Sequence, residues 1–528
     1  MVGGKKMANS KKRPRTKKPY VKRGEDHVDD IKTASADTKT EGCNDPSWYV
    51  PAGIDPSLVG SISFNNPVGY PLTDGNTYLK TPGIMCITYK PSVGYSAYGH
   101  SAVNMAARNL YSFVRHANSG HTNYDAPDLM MYCLAVGQAY AYHAEMCRVY
   151  GILNTASAVN RYMPKAEITA LGYNYDDLMA HMPDLLWFIN QYAVKLGTFG
   201  VPANMNVIKR WTFMNASVYT DTSNMKSQFY VYKPKAWYKI DETTSPTGTS
   251  LQPLEIETDN ATFQTLCDRA NQILTPLLTG EDFGIMSGDI LKAYGAEGIL
   301  HLAALSADYS VLPVYSPEVL QQIHNVKFAS ASYHLTAITQ DSTGVIHNEQ
   351  TIASQTISQA LGEDAIIDSF LDAPKPEDVI VMTRMTIHNT GNTYPVALQS
   401  GTEVPCACEI WYYDGDNTAT ALTHVTMSGY IRIGNLKPGA DEDALKTIKA
   451  ACDRVALVAA FDYAPAIRLL YTLASGITDG ARAQWTTNNS IVIEGKHLDR
   501  IHETAVLAEL SVPSVAMEIG RASCREIV

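Results

Sequence analysis

The chain has 528 residues, of which 45% are apolar and 18% charged, a balance that excludes a wholly disordered or fibrous protein and leaves room for about two to four structural units. The net charge of −11 is unevenly divided: Lys5, Lys6, Lys11, Lys12, Arg13, Arg15, Lys17, Lys18, Lys22 and Arg23 fall within the first 24 residues, which contain no acid. Setting those ten aside leaves 32 basic residues against all 53 acids, a net of −21, so a polycationic end precedes a polyanionic body.

Residues 1–45 have almost no large aliphatic side chains and are expected to be a disordered basic arm, because they cannot bury enough apolar area to offset ordering entropy. Order is expected from Asn44-Asp45-Pro46-Ser47-Trp48-Tyr49 onward. From Ser101 to Ala117 the apolar residues Val103, Ala106, Ala107, Leu110, Phe113 and Val114 keep a 3.6-residue period, with Ser101 as N-cap and Asn118-Ser119-Gly120 as the stop. A second helix starts at Asp125-Ala126-Pro127-Asp128 and is expected to close at Gly151. Its stretch Leu129 to Ala144 carries no formal charge over 16 residues, too short to span a bilayer, and reads as a core helix buried on nearly its whole circumference. A third helix is expected over Tyr175–Leu196.

Strands are expected in Arg210–Thr220 and Gln228–Ile240, around the turn Asp221-Thr222-Ser223-Asn224, and helices in Ala261–Leu278 and Ser287–Tyr294. Residues 326–435 return to strands: Val379, Val381, Thr383, Met385 and Ile387 alternate, and Cys406–Tyr413 and Val425–Ile433 flank a turn at Asp414-Gly415. A last helical run, Asp443–Ser475, is expected to bend at Pro465. The fold class that follows is mainly α (α+β): a helical body with a β-rich insertion behind a disordered basic arm.

Little in the body points to catalysis. His116 with His121, and His497 with His502, lack the third and fourth ligands of a zinc site. Nine cysteines (43, 86, 133, 147, 267, 406, 408, 452 and 524) form no CxxC and read as reduced, buried hydrophobes, with Cys406 and Cys408 expected on one strand face. Tyr413-Asp414-Gly415-Asp416 is better explained as a hairpin than as a polymerase carboxylate turn, and Glu494-Gly495-Lys496-His497 lacks the elements of a P-loop. Glu281, Asp282 and Asp289 are explained by a helix start with Ser287 as N-cap. Sequons at Asn215, Asn260 and Asn488 have no secretory signal ahead of them, and no 18-residue apolar run exists. No catalytic, cofactor-binding or metal residue is assigned. The ten cations of residues 1–24 are the candidate RNA-binding residues, suited to phosphate neutralisation without base readout. The 31 tyrosines suggest half-buried positions and surface buried against other copies.

Several blocks resemble the picobirnavirus capsid protein family: NDPSWY from Asn44, SISFNNP from Ser61, AARNLYSFVRHANSGHTNYDAPDL from Ala106, NRYMPKA from Asn160, MNASVYTD from Met214, EDFGIMSGDILKAYG from Glu281 and YSVLPVYSPEVL from Tyr309. They cover residues 44–325 in register, and the match fades beyond about 330. The resemblance implies a structural protein of a segmented double-stranded RNA virus, assembled in the host cytoplasm. It implies a mostly helical shell domain (46–325, with a β-rich segment near 207–257), a β-rich projecting domain (326–436) and a helical return to the shell (437–517). It further implies dimers that build a closed icosahedral shell, an arm that faces packaged double-stranded RNA, and removal of an N-terminal peptide. No residue is assigned to that cleavage, although Asn44-Asp45-Pro46 is chemically labile. Residues 518–528 (EIGRASCREIV) look like translated sequencing-adapter DNA and are expected to be a non-native tail. Two other readings stay open, a non-assembling RNA-binding protein and an RNA-dependent enzyme.

Overall fold

The structure is a computed structural model. It describes residues 81–118, 124–155, 163–222, 227–242, 248–256, 259–329, 333–352, 375–389 and 396–413, with shorter stretches between 364 and 368 and between 422 and 512. The ten cationic arm residues, the Asp414-Gly415 turn, His121, His497, His502 and the 518–528 tail lie outside them.

Strand β1 (Thr81–Pro91) leads into six helices, α1 (Ala102–Ala117), α2 (Ala126–Leu153), α3 (Met163–Leu171), α4 (Tyr175–Ala180), α5 (Met182–Leu196) and α6 (Asn206–Ala216). These six form the crossover that a parallel pairing requires. The chain returns as β2 (Tyr219–Thr220) and β3 (Phe229–Pro234), and β3 lies parallel to β1 with Cys86 opposite Val231. A hairpin of β4 (Ala236–Asp241) and β5 (Ser250–Glu255) precedes α7 (Phe263–Thr279), α8 (Glu281–Tyr294) and α9 (Pro317–His324). Short strands β6 (Thr339–Gln340), β7 (Ile346–His347), β8 (Thr351–Ile352) and β9 (Asp364–Asp368) come next, then α10 (Pro376–Met382), β10 (His388–Asn389) and β11 (Val396–Gln399). The long hairpin β12 (Glu403–Tyr413) and β13 (Leu422–Met427) is followed by β14 (Tyr430–Leu436), β15 (Arg468–Leu473) and β16 (Ser490–Glu494). The fold is thus mixed helix and sheet.

The main sheet has the order β13-β12-β1-β3-β2. It therefore joins strands from the stretch expected to form the shell with two from the stretch expected to project. Both faces are buried. Ile84, Cys86 and Val231 turn toward the helices, while Met85, Ile87, Tyr230 and Tyr232 turn toward α9, Met385, Leu457, Val458 and Phe461. Cys406 and Cys408 do not share a face as period-2 spacing suggests. Thr88 pairs with Ala407 but Tyr89 pairs with Pro405, so Cys406 is an extra residue in a bulge that reverses the alternation. Cys406 accordingly packs in the helix-side core and Cys408 in the opposite one.

Helix α2 is the centre of the helical layer. All residues from Leu129 to Leu153 are buried, as the charge-free run predicts. Gly151 does not close it, because the helix continues to Leu153. A Cβ at Gly151 would lie 2.5 Å from Cγ2 of Val311, so glycine is there to admit the 309–311 segment. Gly137 likewise lets α6 approach through Ile208.

Other expectations need correction. Tyr175–Leu196 is two helices broken at His181, since Pro183 has no N–H to continue the ladder. Arg210–Ala216 is helical rather than extended, with Val207, Ile208, Trp211 and Met214 on its buried side. α8 begins at Glu281, so Ser287 is no N-cap; its hydroxyl donates to the Thr198 carbonyl and accepts from the Gly200 N–H at 2.7 Å. Asp289 instead accepts a 2.7 Å hydrogen bond from the Tyr124 hydroxyl. Ser101 precedes α1, but its hydroxyl accepts from Tyr98 N rather than from the helix. The alternating Val379 and Val381 lie in α10, where Pro376 opens the helix and Asp378 accepts from the Lys375 N–H. Past Pro465 the chain is not helical but forms β15, parallel to β14.

The tyrosines are used inside more than at wet edges. Tyr132, Tyr142 and Tyr192 are buried, and their hydroxyls donate to the carbonyls of Gly200, Leu266 and Ala139. Tyr140 and Tyr150 reach Leu300 and Ala307, pinning a segment with little regular structure to α2.

Candidate assembly surface

Four groups of buried charge tie the helices to the sheet. On α2, Arg148 is fully buried and pairs with Glu145; it also donates to the carbonyls of Met214 and Ser217 at the end of α6 and to Tyr232 on β3. Nearby Glu167, on α3, is buried, and burial pushes its carboxyl up to about 8 against the opposing pull of Arg148. On the sheet, Glu403 receives Arg210 at 2.8 Å and Arg384 at 2.9 Å, and Arg210 also reaches Gln322 of α9. Burial alone would raise the Glu403 carboxyl, but the two guanidinium groups bring it down to about 2. Lys233 and Lys235 hold Glu409 at 2.8 and 3.0 Å, with Asp259 beside them, and Lys90 holds Glu255 at 2.9 Å. Apart from Glu167, each of these carboxylates has a cation paired with it. Among the described residues no three His, Cys, Asp or Glu side chains converge on one point. His116 is exposed at the end of α1, and His143 is buried, pushed down to about 4 by desolvation and stacked on Tyr192. Asn215 is buried, accepting from the Tyr89 hydroxyl and donating to Trp211, so that sequon is closed to modification.

What the body offers outward is apolar. On α5, Leu185, Ile189 and Tyr192 face the core, while Trp187 is 65% and Val194 70% exposed, with Gln191 between them on one stripe. On α8, Ile285 and Leu291 are exposed beside Gly284 and Gly288, whose Cβ positions are open. Beyond β2 the sheet edge continues through a parallel bridge from Tyr219 to Val314, and Leu312, Val314, Tyr315 and Phe213 are all exposed there. Scattered surface apolar residues are ordinary, but an exposed Trp and three such groups on anchored elements mark surfaces suited to contact. Trp187 is not among the residues that motif or charge pattern singles out. Its signal was present, since Leu185-Leu186-Trp187-Phe188-Ile189 is apolar on more faces than one core contact consumes. No helix among the described residues is long and apolar enough to cross a membrane.

A double-sided sheet layered with helices, cores on both faces and three outward apolar groups describe a mixed helix-and-sheet protein with surface suited to contact with other chains. Comparison with known proteins gives that class a particular member. A family model described as the picobirnavirus capsid protein matches residues 60–369, and the chain belongs to that family. The capsid protein precursor of a human picobirnavirus (strain Human/Thailand/Hy005102/-) is 28% identical over 520 residues, covering 89% of this chain and 91% of that protein. The X-ray crystallographic structure of the picobirnavirus capsid superposes with a TM-score of 0.68 at 22% identity, over 89% of this chain and 98% of that one. The protein is a capsid structural protein, found in the virion.

Proposed function

We propose that the chain assembles as dimers into an icosahedral shell around a segmented double-stranded RNA genome. In this reading residues 1–24 contact the RNA through Lys5, Lys6, Lys11, Lys12, Arg13, Arg15, Lys17, Lys18, Lys22 and Arg23, while the part of 326–436 outside β12 and β13, which pair into the main sheet, supplies the outer projection. The observation that carries the assembly half is the stripe of Trp187 and Val194 on a helix whose other face is locked in the core. The RNA half rests on the ten cations without an acid, tethered to a body of net −21 that would repel RNA by itself. Removal of an N-terminal peptide is proposed with it, since the human relative is named a precursor.

Electron microscopy of the purified full-length protein separates a shell from a non-assembling RNA-binding protein. Closed particles are expected, and Trp187→Glu should leave folded dimers or monomers in their place. Double-stranded RNA titrated across salt against the full chain should give a log–log slope of roughly −5 to −9, on the duplex-DNA figure of about −0.9 per phosphate. A chain beginning at Gly24 should lose most of that affinity and slope; equal values in both would refute the arm's role.

A further inference from the structure

Where the chain leaves β2, Asp221 faces Gln228 across the sheet edge. The Gln228 N–H donates to Oδ1 of Asp221 at 3.1 Å. The other carboxylate oxygen, Oδ2, is buried and accepts no hydrogen bond. Gln228 is fully buried, and its Nε2 donates to the Ala460 carbonyl at 3.0 Å, which leaves its amide oxygen Oε1 buried without a partner as well. Ala460 belongs to the turn that carries Asp462. That turn is docked on β3, with the Tyr463 N–H donating to the Tyr230 hydroxyl at 3.2 Å and the Phe461 ring 5.6 Å from that of Tyr230. After burial, the influence that acts most on Asp221 is the charge of Asp462, another carboxylate.

Two buried acceptor oxygens with no donor, one of them on a side chain hydrogen-bonded two residues from Asp462, are an arrangement that costs free energy unless something positive sits among them. The donor set is a carboxylate, an amide oxygen and an outer carboxylate, all hard oxygen ligands, and Asp462 is exposed and leaves a path to solvent. Calcium accepts six to eight such ligands in flexible geometry and lets water complete the shell, whereas magnesium demands a stricter octahedron. We infer that Asp221, Gln228 and Asp462 form a calcium-class divalent cation site that fastens the 460–463 turn to the edge of the main sheet. The rival occupant is a proton on Asp221 donated to Gln228 Oε1, which would satisfy both oxygens without a metal.

The site lies against tyrosines, so terbium(III), a calcium substitute, should luminesce there under tyrosine excitation. Full-length protein freed of metal with a chelator is titrated with terbium and then with calcium. The expected result is a saturable signal of one ion per chain, displaced by calcium, with the affinity falling at least tenfold in both Asp221→Asn and Asp462→Asn. Calcium at a hundredfold over its dissociation constant should also raise the melting midpoint of the unmodified protein by about 3 °C and leave that of Asp462→Asn unmoved. Asp462 is exposed, so that variant decides the matter should Asp221→Asn fail to fold. Absence of a saturable signal, or a signal that persists unchanged in Asp462→Asn, overturns the site. So does an Asp221→Asn protein as stable as the unmodified one with no calcium response in either, which is the outcome a buried proton would give.

Discussion

Glu403 is the most consequential buried charge in the sheet, and replacing it with glutamine tests whether the body depends on it. The carboxylate is inaccessible, sits between Arg210 of α6 and Arg384, and also accepts from the Thr402 hydroxyl at 2.5 Å. Its carboxyl is brought from an ordinary 4.5 to about 2. At about 1.36 kcal/mol per unit, that difference is on the order of 3 kcal/mol in favour of the folded, ionised state. The folded value lies below the unfolded one, so this contribution is present above about pH 4.5 and is lost as the pH falls from there toward 2. Glu403→Gln removes the negative charge and strands a buried guanidinium, a class of change that costs about 3–5 kcal/mol. The double variant Arg210→Met/Glu403→Met should recover most of that loss, because Arg384 retains Glu509 at 2.9 Å and no buried charge is left alone. Urea midpoints for the three proteins at pH 7, with the slope checked for constancy, read the effect directly. A loss below about 1 kcal/mol in Glu403→Gln, or a double variant no better than the single one, would show that the guanidinium groups relax into water and that the network is not a support of the sheet.

Val136→Asp places an unpaired carboxylate on the fully buried α2 at a cost of several kcal/mol, and intact particles at normal yield from that variant would contradict the burial. Glu167 has its folded value raised from 4.5 to about 8 by burial, so the native state holds a proton that the unfolded chain releases, and stability falls as pH rises from about 4.5 to 8. Glu167→Gln should abolish that decline, by a few kcal/mol at pH 8, seen as a melting midpoint that drops less between pH 5 and 8 than in the unmodified protein. Gly151→Ala should destabilise by about 1–3 kcal/mol because the new Cβ meets Val311, whereas Gly284→Ala, with open space around it, should stabilise by about 0.5–1 kcal/mol. Thermal melts that rank the two glycine variants the other way would remove the close-approach account of Gly151.

How much of this was legible in the sequence depends on the range of the interaction. α1 and α2 announce themselves because period, caps and the missing charges all lie within one element, and Pro376 and Asp378 likewise specify α10 locally, outweighing the β-like alternation of Val379 and Val381. The sheet is less readable, since β1 meets β12 more than 300 residues later; Pro405 marks a break in the β12 ladder, but only the pairing with β1 shows that the bulge falls at Cys406 and sends Cys408 to the other core. The buried charges divide by the same rule. Glu145 and Arg148 are three apart in a helix that is otherwise apolar over most of its length, so their pairing is a local inference that the sequence supports. Arg210 and Glu403 stand 193 positions apart, and each residue type by itself signals solvated surface. Only the closing of the sheet against α6 turns them into a buried pair, and the exposed face of α5 follows the same logic in reverse. Leu185, Ile189 and Trp187 are all large side chains with mostly apolar surface, and it is the position of α2 behind the first two that leaves Trp187 facing outward.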